Sequence, residues 1–415
     1  LMFIIQGLLQ ECSLYNYTKK PNLTDNDALC TVQLTELGVE KFLIENENLI
    51  ERYLANLRIP DFTINIGIFQ LSLIDIRVQN LGLPLISVQL ADETALMQLK
   101  SFKFSFIFQF ALRQVTYPYI SDSGTGQFDF MANGGVELSP TSISSCPYHA
   151  QLNQIQGSFE IMNLKIKMFG ELEFLYDSII GMFTQLLKEF LNTRFNEIII
   201  DEIINLINSA LQNLDSYARS DELKYFADNR FINVSIIDNM LIVPMTCQVH
   251  RFMDGSFFTW FETQQIQRTQ KLLTNNQLQY FLQKEVFLTS LKGYNEFCEL
   301  KFQNVSFQIQ QFVRTGLIVR AQVPNSFKAT LLMHLKQRVA QSWELINDTR
   351  FQLTFGQVID CVGDCKDADD LAKDIVLKQR FSVVGITTSN NIDEEDCVEI
   401  YVNEDYYYVG CDMIK

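Results

Sequence analysis

Residues 173–214 are the longest helix-patterned stretch of this 415-residue chain, and they narrow the choice of fold more than any other feature. Ile179, Met182, Phe183, Leu186, Leu187, Phe190 and Leu191 open a broad apolar stripe that runs on to Leu214, and no proline interrupts it. At 1.5 Å per residue such a helix reaches roughly 60 Å, too long for one compact core. It needs an elongated partner, either a rolled and highly twisted sheet or a second helix in a coiled coil. The stripe is wider than a coiled-coil seam and lacks steady heptad charges, which favours the sheet.

The residues before it supply one. Residues 31–57 read as an amphipathic helix with Leu34, Leu37, Ile50, Leu54 and Leu57 on one face. Ile59-Pro60-Asp61 stops it, because Pro60 disfavours helix at the preceding residue. From Ile64 the period changes to two. The clearest strand holds Phe102, Phe104, Phe106, Phe108 and Phe110 on a single face. Such a wall must be covered by something apolar: a packed helix, or a cavity holding an apolar ligand. Further strands are expected near 113–120, 126–138 and 157–169, with Gly124, Gly126 and Gly134-Gly135 marking turns.

Charge and motifs remove several function classes. With 33 basic and 49 acidic side chains the net charge is −16, and no basic face for a phosphate backbone is visible, so nucleic acid is excluded as a partner. No nucleophile elbow, zinc-protease helix or phosphate loop occurs. His149, His250 and His334 sit in unrelated contexts, and no cofactor or metal site is expected. Asp367-Ala368-Asp369-Asp370 lacks the glycine and distal glutamate of a calcium loop and reads as an acidic helix start.

Compartment is legible from three features. The opening run Leu1–Leu9 is too short to span a bilayer and fits either a signal-peptide remnant or a frayed terminus. Asn16, Asn22, Asn233, Asn304 and Asn347 begin glycosylation sequons. Of nine cysteines, Cys361 and Cys365, and Cys397 and Cys411, are spaced as local bridges; zinc is the weaker alternative because paired Cys-x2-Cys knuckles are missing. A secreted protein, or one in the lumen of the secretory pathway, is expected.

The order helix, Ile59-Pro60-Asp61-Phe62, long strands, Ser144-Ser145-Cys146 and very long helix, with Gly38 in the first helix, resembles the family of bactericidal/permeability-increasing, lipopolysaccharide-binding and plasma lipid-transfer proteins. Asp238–Pro244, the Asp254-Gly255 turn, Leu278–Leu282, Val398–Tyr401 and Tyr406–Asp412 are similar to that family's crossing segment and closing strands. The resemblance implies a tubular lipid-binding fold of class α+β: two elongated, twisted antiparallel barrels in a boomerang, each closed by long helices, the second one reduced. It implies an N-terminal segment at 1–28, a lipid-binding barrel at 29–220, a central sheet and crossing segment at 221–290, and a reduced C-terminal barrel at 291–415.

What would follow is a binder or carrier of phospholipid or another acyl lipid, with transient membrane-surface contact and no chemistry. Leu34, Leu54, Phe102, Phe104, Phe106, Phe108, Phe110, Ile179, Met182, Phe183, Leu186 and Phe190 are the expected pocket residues. A scaffold with a dry core is the alternative, and a hydrolase with a non-local site a weaker one. Two departures stand out. The helix at 173–214 has no cysteine to pair with Cys146, and Asp367–Gln379 is short for a closing helix. Segments 41–51 and 86–100, which match the family's cationic tip, carry Glu45, Glu47, Glu51, Asp92 and Glu93 against Lys41 and Lys100, which disfavours lipopolysaccharide.

Overall fold

The computed structural model describes residues 23–45, 51–52, 54–143, 146–212, 217–220, 225–228, 230–251, 276–296, 301–337, 349–378, 382–384, 395–403 and 405–413. The sequons at Asn16, Asn22 and Asn347 and the turns at Ser144-Ser145 and Asp254-Gly255 lie outside these residues. The fold is mixed α+β and mostly sheet, and the chain divides into two compact units.

The first elements correct the expected helix at 31–57. Residues Cys30–Thr35 are a strand, β1, and helix begins only at Glu36: α1 covers Glu36–Glu45, and Glu51, Arg52 and Leu54 are helical as expected. Cys30, Val32 and Leu34 alternate with Thr31 and Gln33, a period-two pattern that pairing on both sides of the strand stabilises. Thr35 ends the strand and caps the helix, its hydroxyl accepting the Gly38 N–H at 3.2 Å. A side chain at Gly38 would collide with the Gln277 carbonyl, so glycine is required there.

One unit comprises residues 40–139 and 152–209. Its strands are β2 (Arg58–Ile59), β3 (Phe62–Ile66), β4 (Phe69–Gly82), β5 (Leu85–Ala91), β6 (Thr94–Gln114), β7 (Ser121–Ile143) and β8 (Cys146–Phe169). The order is β2-β4-β6-β7-β8, with β3 added to β4 and β5 to β6. The strand expected at 113–120 is instead the end of β6 and its turn into β7. The four marker glycines lie inside β7 rather than at turns, for a reason given below. Helix α2 (Glu173–Gln212) follows, 40 residues long as its apolar stripe requires.

Within the described residues this sheet does not close on itself, and β8 is left as an edge. Side chains of α2 occupy that edge. Asn208 accepts the Leu152 N–H at 2.7 Å and donates to the Leu152 carbonyl at 3.0 Å, as a neighbouring strand would. Asn192 accepts the Ile161 N–H at 3.0 Å. On β5, Glu40 of α1 accepts the Val88 N–H at 2.7 Å. Helical side chains thus satisfy strand groups that would otherwise be unpaired.

The other unit, residues 1–39, 140–151 and 210–415, is built on β1. Its further elements are β9 (Tyr217–Ser220), β10 (Tyr225–Asp228), β11 (Ser235–Ile237), β12 (Met240–Met245), β13 (Gln248–Arg251), β14 (Leu278–Gln283), α3 (Lys284–Lys292), β15 (Ser306–Val313), β16 (Gly316–Val323), β17 (Phe327–Gln337), β18 (Thr349–Gly363), α4 (Ala368–Lys378), β19 (Ser382–Val384), β20 (Glu395–Val402) and β21 (Tyr406–Met413). A six-stranded sheet runs β11-β12-β1-β14-β21-β20, and a meander runs β15-β16-β17-β18-β19. The β11–β12 hairpin turns on Asp238 and Asn239, both at positive φ, as a tight primed turn demands.

Two disulfides are described. Cys361–Cys365 is the local bridge that the spacing predicts. Cys30–Cys247 joins β1 to the residues after β12, across 217 positions of sequence. Cys411 is also disulfide-bonded, and the register sets Cys397 opposite it. The expected acidic helix start is α4, where Lys301 ties Asp367 and Asp370 at 2.8 and 2.7 Å. Replacing Asn208 by Ala should cost about 1–2 kcal/mol through the lost edge bonds. Thermal unfolding should show the melting temperature falling by about 2–6 °C; an unchanged value would show the edge to be satisfied otherwise.

Candidate functional site

The first unit described encloses one continuous apolar interior. Phe102, Phe104, Phe106, Phe108 and Phe110 all point into it, none more than 2% exposed. Strand β7 answers them in register: Ala132 opposite Phe102, Phe130 opposite Phe104, Phe128 opposite Phe106. The rings interlock, with centroids 5.3 Å apart for Phe104–Phe130 and 5.0 Å for Phe106–Phe128, both stacked. Opposite Phe108 and Phe110 stand Gly126 and Gly124. A methyl group on Gly126 would collide with the Phe108 ring, and one on Gly124 with the Phe169 carbonyl. One on Gly134 would meet the Ser158 carbonyl and the Phe159 ring. These glycines make room for close approach across the sheet, which is why they sit in a strand.

Helix α2 supplies the opposite wall. Ile179, Phe183, Leu187 and Leu191 are buried against the phenylalanines. Leu186 and Phe190 are half-buried at its margin, where Phe190 stacks on Phe62 at 3.9 Å. Met182, expected to line a pocket, is 55% exposed and faces solvent, because the stripe is narrower at this turn than its composition suggests. Leu34 lies elsewhere. As a β1 residue it belongs to the core of the other unit, with Leu278 and Val243. Leu54 is fully buried and does join this interior.

At one end the packing leaves a hollow. Leu43, Leu54, Pro84, Ile86, Met97, Leu99, Phe102, Ile203 and Ile207 line it, without a polar residue. Its space for the centre of a water-sized sphere is about 30 Å³, enough for roughly two waters. This free space lies where the lining turns aliphatic, beyond Phe102. Ile203 and Ile207 belong to the apolar stripe read from the sequence but, like Met97, were not among the expected pocket residues; the period-two pattern of β6 and the continuation of that stripe carry the signal.

Polar groups gather at the α2 N-terminus. Tyr176, packed edge-on against Phe110, donates its hydroxyl to Asp122, which also accepts the Leu172 N–H at 2.8 Å. Burial pushes the Asp122 carboxyl up, but these bonds and those from the Ser123 and Glu171 N–H groups outweigh it and hold it below its ordinary range. Among the described residues no group of three or more His, Cys, Asp or Glu side chains is placed to hold a metal ion. His149, His250 and His334 lie on three different strands, β8, β13 and β17. No described helix is long and apolar enough to cross a membrane.

No protein-family model matches the sequence, and no curated protein is detectably similar to it. Among solved structures, a lipopolysaccharide binding protein superposes with a TM-score of 0.58 at 12% identity, covering 93% of this chain and 98% of that one. Takeout 1 of Epiphyas postvittana (TM-score 0.25, 10% identity, 41% of this chain and 90% of that one) and P47 of Clostridium botulinum E1 (0.22, 11%, 94% and 100%) are also similar, at scores too low to support a conclusion. The chain shares its fold, over nearly its full length, with the lipopolysaccharide binding protein.

Gly126→Ala should destabilise the protein by about 1–3 kcal/mol through overpacking, whereas Met182→Ala should stay within about 0.5 kcal/mol; urea unfolding of both measures it. Because the folded pKa of Asp122 is depressed, its contribution is present above the unfolded value of about 3.9 and is lost as pH falls through the folded value. The melting-temperature difference between wild type and Asp122→Asn should therefore be full at pH 6 and shrink below about pH 4.

Proposed function

We propose that this protein is a secreted lipid binder that holds an acyl chain in the apolar interior between β5–β7 and α2 and performs no bond-breaking chemistry. The observation that carries the reading is the hollow lined by nine apolar residues, opening from a continuous apolar core, in a fold shared with a lipopolysaccharide binding protein. Each methylene buried there contributes about 0.8 kcal/mol, so affinity needs few polar contacts. As packed, the space is smaller than an acyl chain. Occupation requires the lining to shift, and Met97, unbranched and adaptable, turns aside more readily than stacked rings or the β-branched Ile203 and Ile207.

Other features support the compartment and the ligand class. The Cys30–Cys247 and Cys361–Cys365 bridges fit an oxidising environment. Asn233 and Asn304 are exposed and open to glycosylation. A net charge of −16 favours phospholipid or another acyl lipid over polyanionic lipopolysaccharide. The two helix-covered barrels expected from the sequence belong to this proposal, with the α4-covered meander as the reduced second one. The interlocked rings along β6 and β7 favour a second reading, a scaffold with a dry core.

Native mass spectrometry of protein purified from a eukaryotic secretory host separates the two. Stoichiometric phospholipid or fatty acid, displaced by a fluorescent analogue, is expected; lipid-free protein that takes up no analogue would overturn the proposal. Met97→Trp, which fills the hollow, should lower uptake severalfold without unfolding the protein.

A further inference from the structure

Three turns that are distant in sequence meet at the far end of β6 from the β5–β6 turn. The β3–β4 turn brings Ile68, the β6–β7 turn brings Val115, Tyr117, Tyr119 and Ile120, and the end of β8 brings Phe169. The Val115 N–H donates to the Ile68 carbonyl at 2.9 Å, the Gln114 N–H to the Ile120 carbonyl at 2.7 Å, and the Phe169 carbonyl lies against Gly124 of β7. All six apolar side chains are exposed: Tyr117 by 85%, Tyr119 by 68%, Phe169 by 53%. Scattered exposed apolar residues are ordinary, but six converging from three segments are not.

Charge distinguishes this end from the rest of the chain. Residues 65–70, 114–121 and 168–170 contain no Asp, Glu, Lys or Arg, in a protein one-fifth charged with a net charge of −16. The nearest charges, Arg113 and Lys167 against Asp122 and Glu171, balance. The acidic Asp92-Glu93 turn is at the opposite end of the 21-residue β6, as much as about 70 Å away along an extended strand. The net charge of −16 opposes approach to an anionic membrane, and this end carries no acidic side chain of its own within those segments. Tyrosine, with an apolar ring and a polar tip, is the side chain that settles at the headgroup level.

We propose that this uncharged aromatic end docks the protein on a phospholipid bilayer, with Tyr117, Tyr119, Ile120 and Phe169 entering the headgroup region. The proposal deepens the lipid-binding reading and rests on it only for its purpose. Driven by apolar burial, docking needs no anionic lipid and withstands salt.

Flotation with phosphatidylcholine vesicles, with and without phosphatidylserine, tests it. Wild type is expected to float with phosphatidylcholine alone, equally in about 0.1 and 1 M salt, where charge attraction would be screened. The triple variant Tyr117→Ser, Tyr119→Ser, Ile120→Ser should lower the bound fraction by about tenfold or more, with an unchanged melting temperature because all three side chains are exposed. Tyr119→Trp should shift its emission to the blue on vesicle addition. Wild type that stays free of vesicles, a triple variant that binds as well as wild type, or binding confined to phosphatidylserine and lost in salt would each overturn the proposal. Lipid content by native mass spectrometry is read separately: an empty protein that still docks through this end sinks the carrier reading and leaves docking standing.

Discussion

The hydrogen bonds that helical side chains make to strand edges are what the unit with the seven-stranded sheet depends on. A sheet of seven strands with open margins exposes rows of N–H and C=O groups, and leaving them unpaired in a buried setting costs free energy at each one. Asn192 and Asn208, sixteen positions apart on α2, reach β8, and Glu40 reaches β5. These contacts fix both the height and the rotation of α2. Rotation in turn decides that Ile179, Phe183, Leu187 and Leu191 meet the phenylalanine row while Met182 looks outward.

Given that register, the interior divides by chemistry. Along Phe104–Phe110 it is aromatic, interlocked and dependent on glycines that let rings pass between strands. Toward Met97, Ile203 and Ile207 it is aliphatic and incompletely filled. Aromatic rows are stiff because few rotamers fit between stacked neighbours, and aliphatic ends adapt. One unit therefore combines a stiff aromatic stretch with a more adaptable aliphatic end.

Much of this was legible in the residues. An uninterrupted stripe forced a long helix, and alternating phenylalanines forced a one-faced strand; both stand in the structure. The four-residue spacing of Cys361 and Cys365 was enough to pair them. Other features escaped because their cause is tertiary. Thr31 to Leu34 alternates too briefly to be told from a helix until β12 and β14 flank it. Gly124 and Gly126 look like turn residues because the rings that need them lie on another strand. Asn192 and Asn208 carry no signal in the sequence, and only the β8 backbone gives them a purpose.

The bridge between Cys30 and Cys247 has a consequence for the chain as a polymer. It spans 217 positions, and everything from β2 to β12 lies between its ends. In chain-entropy terms, closing so large a ring removes on the order of 5 kcal/mol of freedom from the unfolded ensemble. It also makes that whole stretch a covalent circle with two tails. A single backbone cut anywhere in the circle, in β6 or in α2 alike, leaves one molecule of unchanged mass apart from the added water. The severed strands stay beside the edges that Asn192, Asn208 and Glu40 hold, and separate only when the disulfide is reduced.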